Sequence, residues 1–191
     1  DPLRAIQNLP GTARTPMNAG WLLVRGTHPG DTTVVWEGLP LSQLYHLGGF
    51  ASIFHPETVD TITFQPMGWV NHTSGLGGQV ELTVNRPEAE RRVEMGVDLI
   101  NATAYAVEPI RPGVTLFASA RHSWLRSALS IATSAEQARI APQFSDWSIG
   151  THTKNASILY LGFTDGIDAP TADGEQILHV QQSSHQMLAH L

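Results

Sequence analysis

"SILYLGFTDGIDAPTADGEQILHVQ", residues 157–181, holds two apolar runs on either side of a stretch carrying Asp165, Asp168, Asp173 and Glu175. Read as a metal loop it gives the chain a chemistry; read as a hairpin it gives only an architecture. A calcium loop of the EF-hand kind needs oxygen ligands at alternate positions, Gly at the sixth and a bidentate Glu at the twelfth. Carboxylates at 165, 168, 173 and 175, with Pro170 among them, miss that spacing. Asp-Gly, a turn dipeptide, stands at both ends of the stretch. It reads as a solvated loop joining the strands "ASILYLGF" and "EQILHVQQ".

The same reading extends outward. "GWLLVRG" (20–26), "DTTVVWEG" (31–38), "ETVDTITFQPM" (57–67) and "GQVELTVN" (78–85) are β-branched or aromatic runs. "MGVDLINATAYAV" (95–107), "GVTLFASA" (113–120) and "WLRSALSIAT" (124–133) continue the series. Alternation places Ile62, Phe64, Val80, Leu82, Val84, Leu159, Leu161, Ile177 and Val180 in the core. Helix signals are few: "LPLSQLYHL" (39–47) with Pro40 in its first turn, and one turn at "SAEQARIA" (134–141) capped by Ser134. Eight or nine strands with no long helix between them predict an all-β antiparallel sandwich, not a βαβ sheet.

Composition excludes several chemistries. With no cysteine, thiolate metal sites, disulfides and Cys nucleophiles are absent. "HPE" (55–57) therefore lacks the P-C-x-x-C half of a zinc deaminase. None of the nine histidines (His28, His46, His55, His72, His122, His152, His179, His185, His190) falls at chelate spacing. Neither a G-x-S-x-G elbow nor a phosphate loop occurs. The five Trp are spread one to a segment, which suits packing better than a sugar-stacking platform. A formal charge of −6 and a single Lys, Lys154, give no basic face for nucleic acid. The sequons at Asn71, Asn101 and Asn155 fit chance in a Ser/Thr-rich chain. No apolar run approaches a membrane span and no signal peptide opens the chain, so no membrane partner is expected. The chain starts without Met, as would a processed product or the ordered part of a longer one.

A strand pair is followed by "PLSQLYHLGGF" (40–50), by "HPETVDTITFQPM" (55–67), and by a Gly-rich loop with "GGQVELTVN" (77–85). This order resembles the coat proteins of small icosahedral RNA viruses, the tymovirus group most of all. "TPMNAGWLLVRGTHPGDTTVVWEGL" (15–39) and residues 157–188 resemble that group's entry strands and closing hairpin. The resemblance implies an eight-stranded antiparallel jelly roll with one or two short helices. It implies an N-terminal arm (1–16) on the inner surface of a shell and a shell domain over 17–191. The implied function is a structural capsid subunit, assembling with identical or related coat subunits in the virion, without catalysis and without a cofactor. Viral RNA would be held weakly through Arg4, Arg14 and His28, with polyamines or Mg²⁺ supplying the missing charge. A carbohydrate-binding jelly-roll module is the alternative, and a metal-dependent jelly-roll enzyme a third.

Overall fold

The structure is a computed structural model and describes residues 2–14, 22–46, 49, 51–65, 76–85, 90–134, 141–170 and 177–190. Its strands are β1 (Thr12–Arg14), β2 (Leu22–Val24), β3 (Thr33–Trp36), β4 (Leu39–Pro40), β5 (Val59–Gln65) and β6 (Gln79–Val84). There follow β7 (Arg92–Val97), β8 (Asn101–Arg111), β9 (Val114–Ser123), β10 (Gln143–Thr153), β11 (Ser157–Pro170) and β12 (Ile177–His190). One α-helix, α1 (Leu125–Ala132), lies between β9 and β10. The chain divides into two compact units, Asp1–Arg86 and Pro87–Leu191.

The first unit carries a two-stranded sheet, β1-β2, and a four-stranded sheet in the order β4-β3-β6-β5. Residues 2–14, expected as an arm, form a 3-10 helix (Pro2–Asn8) and β1, and Ile6 and Gln7 are buried. Thr12 Oγ1 donates to the carbonyls of Ile6 and Leu9, tying helix to strand. Within the larger sheet β3 and β6 run parallel, with Val34 opposite Val80 and Trp36 opposite Leu82. Val80, Leu82 and Val84 are buried, as their alternation requires. Ile62 and Phe64 are half-buried. Trp36 stacks on Phe54 at 4.4 Å between centroids.

The helix expected over 39–47 is instead a hairpin arm and a buried bend. Glu37 and Gly38 both take positive φ (48° and 79°), the conformation that turns β3 back into β4. Pro40 then sits on the edge of the sheet, where its missing N–H costs no ladder bond. Tyr45 bridges to Ser52, and Leu44, Tyr45, His46, Ile53 and Phe54 are all buried. The Glu37 carboxylate accepts the Val84 N–H at 2.8 Å, closing the end of β6.

The second unit is one six-stranded sheet in the order β12-β11-β10-β9-β8-β7. Every strand pairs antiparallel with its neighbour in sequence. The all-β class expected from the sequence holds. An eight-stranded jelly roll is not what the described residues form: they make twelve strands in three sheets, and this largest sheet is a plain meander. The run 124–133, expected as a strand, is α1. Leu125, Ala128, Leu129 and Ala132 recur at helical spacing, and Leu, Ala and Arg are good helix formers. The run 95–107 is broken by a turn at 98–100, where the Asp98 carboxylate accepts the N–H groups of Ile100 and Asn101.

Asp165 and Asp168, expected in a loop, lie within β11, which continues to Pro170. Asp173 and Glu175, the helical turn over 135–140, and the side chain of Ile177 lie outside the described residues.

Glycine at 150 is dictated by packing. A Cβ there would meet the Phe117 ring at 2.4 Å and the Ile158 carbonyl at 2.8 Å. Gly150→Ala should cost about 1–3 kcal/mol through overpacking, read as a lower denaturant midpoint with an unchanged slope.

Candidate functional site

Register fixes which side chains of the six-stranded sheet share a face, because residues directly opposite across a ladder point the same way. One row across all six strands reads Val93, Ala106, Ala118, Ile149, Tyr160, Met187. The next reads Met95, Ala104, Ala120, Trp147, Gly162, His185. Neither row contains Lys, Arg, Asp or Glu. This is the exposed face: Met95 is 83% exposed, Val97 70% and Met187 75%, with Ile149 and Ile158 near one half.

The opposite face is buried, yet it carries the polar groups. Tyr105, Val107, Phe117, Leu159, Leu161 and Phe163 share it with Ser119, Arg121, Asp146, His152 and Asp165, all buried. Arg121 Nε meets Asp146 Oδ2 at 2.7 Å, and the guanidinium lies 5.6 Å from the centroid of the Phe144 ring. Ser119 and Ser148 share a hydrogen bond of 2.7 Å across the β9–β10 ladder. A sheet in water puts apolar side chains inside and charges outside. Here a band of exposed aliphatic residues backs onto a face that holds a buried ion pair. Val180, expected in the core, is 40% exposed.

The exposed face changes character toward the end that carries the 124–142 connection. Beyond Trp147 and His185 the next row reads Val97, Ala102, His122, Ser145, Thr164, Ser183, and His122 Nδ1 lies 2.7 Å from Ser145 Oγ. Past it, Asp168 is held between Arg126 of α1 (3.2 Å) and His179 (2.7 Å). Arg126 also donates to the Ala141 carbonyl, fastening α1 to the residues just before β10. A cavity of about 450 Å³ opens among these groups. Among the described residues no set of three or more His, Cys, Asp and Glu side chains converges as metal ligands.

The residues expected to touch RNA lie elsewhere, in the first unit. Arg4 is in the 3-10 helix and Arg14 ends β1 opposite Leu22. His28 is occupied by its own turn: its ring Nδ1 accepts the Gly30 N–H, and its backbone N–H donates to Asp31. The band itself escaped sequence reading, although "RVEMGV" (92–97) carries its signal, with Val93, Met95 and Val97 alternating against Arg92 and Glu94.

No family model matches the chain, and no curated protein does. Among solved structures it is similar to the siderophore receptor PirA from Pseudomonas aeruginosa, at 14% identity and a TM-score of 0.50. The match covers 99% of this chain and 34% of that one, so the chain spans about a third of that receptor's length. The likeness is one of fold. Among the described residues no helix is long and apolar enough to cross a membrane, which leaves crossing by strands untouched.

Proposed function

We propose that the chain is part of a membrane β-barrel receptor, its six-stranded meander forming a stretch of the barrel wall. The observation that carries this reading is the inverted polarity of the sheet. Barrels in outer-membrane-type bilayers turn an apolar band to lipid and keep polar and charged groups inward. Strand length agrees: a tilted strand needs roughly 9–11 residues to cross the hydrocarbon, and β8 to β12 have 11, 10, 11, 14 and 14. Hydrocarbon does not tolerate the unpaired N–H and C=O groups of an open sheet edge. The edges β7 and β12 must therefore be closed in lipid, by strands outside this sheet or by a second copy of it. The neighbour of like fold is a siderophore receptor, which supports a siderophore as the substrate class in this reading.

This reading replaces the expectation of no membrane partner. The coat-subunit reading would cover the same exposed band with neighbouring subunits instead of lipid, but it draws no support from a meander. Mixing the purified protein with phospholipid vesicles separates the two. Co-flotation with vesicles, with β-sheet circular dichroism and protease resistance gained only when lipid is present, is the expected result. Assembly into closed particles without lipid, or a stable monomer indifferent to lipid, would overturn it.

A further inference from the structure

Successive rows of the exposed face pass from aliphatic to aromatic to hydroxyl, each one two-residue step, about 7 Å, along the strands, and the Asp168–His179 pair lies two steps beyond the hydroxyl row, past Gln143, Gly166 and Gln181. Ile149 and Met187 lie on the aliphatic side. The aromatic step is a built cluster: an added Cβ on Gly162 would lie 2.6 Å from the Trp147 indole, so the ring covers that glycine. The His185 ring stands 5.4 Å from the Trp147 ring, and its Nδ1 lies 2.7 Å from the Tyr160 hydroxyl. Rings with an apolar body and a polar tip concentrate where hydrocarbon meets headgroups.

We infer that Trp147, Tyr160 and His185 form an interfacial anchor seated in the phospholipid headgroup layer. This inference rests on the membrane reading above. The polar row of Ser145 and Thr164 then stands at the water side of that layer, and α1 lies in the aqueous phase beyond. The cluster fixes both the depth and the direction of insertion. Ile149, Ile158 and Met187 enter the hydrocarbon, and Ser183, two steps from Met187, stays outside it.

A chain without cysteine makes the boundary measurable. Ser183→Cys, Met187→Cys and Ile158→Cys can each be placed alone, the first two at exposed positions of β12. In phosphatidylcholine vesicles a membrane-impermeant maleimide should label Ser183→Cys readily. Met187→Cys and Ile158→Cys should react about tenfold more slowly or worse, and all three should react alike once the protein is denatured. Protein that fails to float with the vesicles sinks the membrane reading and this inference with it. Protein that floats, but labels equally at 183 and 187 or is protected at both, leaves the membrane reading standing and overturns the boundary alone.

Discussion

Ile149→Arg should destabilise the membrane-inserted protein by about 2–4 kcal/mol. Ile149 sits in β10, near the middle of the sheet, with Ala118 on one side and Tyr160 on the other. On an ordinary wetted surface, replacing a half-exposed Ile by Arg changes stability by no more than about 0.5 kcal/mol. In lipid the guanidinium must leave water or drag water in, and the penalty grows with depth. The two environments thus predict effects several-fold apart for one substitution. Thr151→Arg, one step farther from the aromatic cluster, is the companion variant whose penalty maps the depth of the band. Guanidinium unfolding of vesicle-bound protein, followed by gel mobility, gives the number. An unchanged midpoint for Ile149→Arg would mean that the exposed band does not face hydrocarbon.

Asp146→Ala should cost about 3–5 kcal/mol, because it removes the carboxylate that meets the Arg121 guanidinium on the buried face. Both partners are under a tenth exposed and meet at 2.7 Å, so the Coulomb attraction acts with little screening. The loss comes less from the absent bond than from the cation left behind. Arg121→Met combined with Asp146→Leu removes both charges while keeping most of the volume. That pair should recover most of the loss, and a double-mutant cycle should show strong coupling. Near-additive penalties for the two single changes would place the stabilisation in packing against Phe144 instead of in the ion pair.

The opening stretch of sequence shows what could be read early and what could not. Two strands around residues 157–181 were legible from alternation, and so was the all-β class. Which side of each strand faces inward was not. In "SILYLGF" both alternating sets are apolar: Leu159, Leu161 and Phe163 are buried, while Ile158 and Tyr160 are exposed. Taking apolar to mean buried is sound in water and gives no warning of Ile158 or Tyr160; Val180 differs, since it pairs with Ile167 on the inward side of edge strand β12 and is exposed there. The band stayed hidden for a further reason. Its middle is alanine, at 102, 104, 106, 118 and 120, too weakly apolar to stand out until the ladder aligns five strands around it. Pairing partners are not written in strand spacing either, so a meander and a jelly roll look alike along the chain. The eight residues LRSALSIA at 125–132 satisfy both periods, and helix propensity decides between them.

The parallel pairing of β3 with β6 has a kinetic consequence. In the second unit every ladder joins neighbours in sequence, so the sheet can grow hairpin by hairpin. In the first unit β1–β2, β3–β4 and β5–β6 are local too, but joining β3 to β6 is not: Thr32 Oγ1 reaches the Gly77 carbonyl across 45 residues, and the Glu37 carboxylate reaches the Val84 N–H across 47. Each doubling of a loop adds about 0.6 kcal/mol to closure, so spanning this distance instead of a short turn adds about 2 kcal/mol before any contact is made. That slows nucleation of the first sheet by about thirtyfold against a local hairpin. Closing β3 onto β6 is therefore the slow step in assembling the first unit's four-stranded sheet.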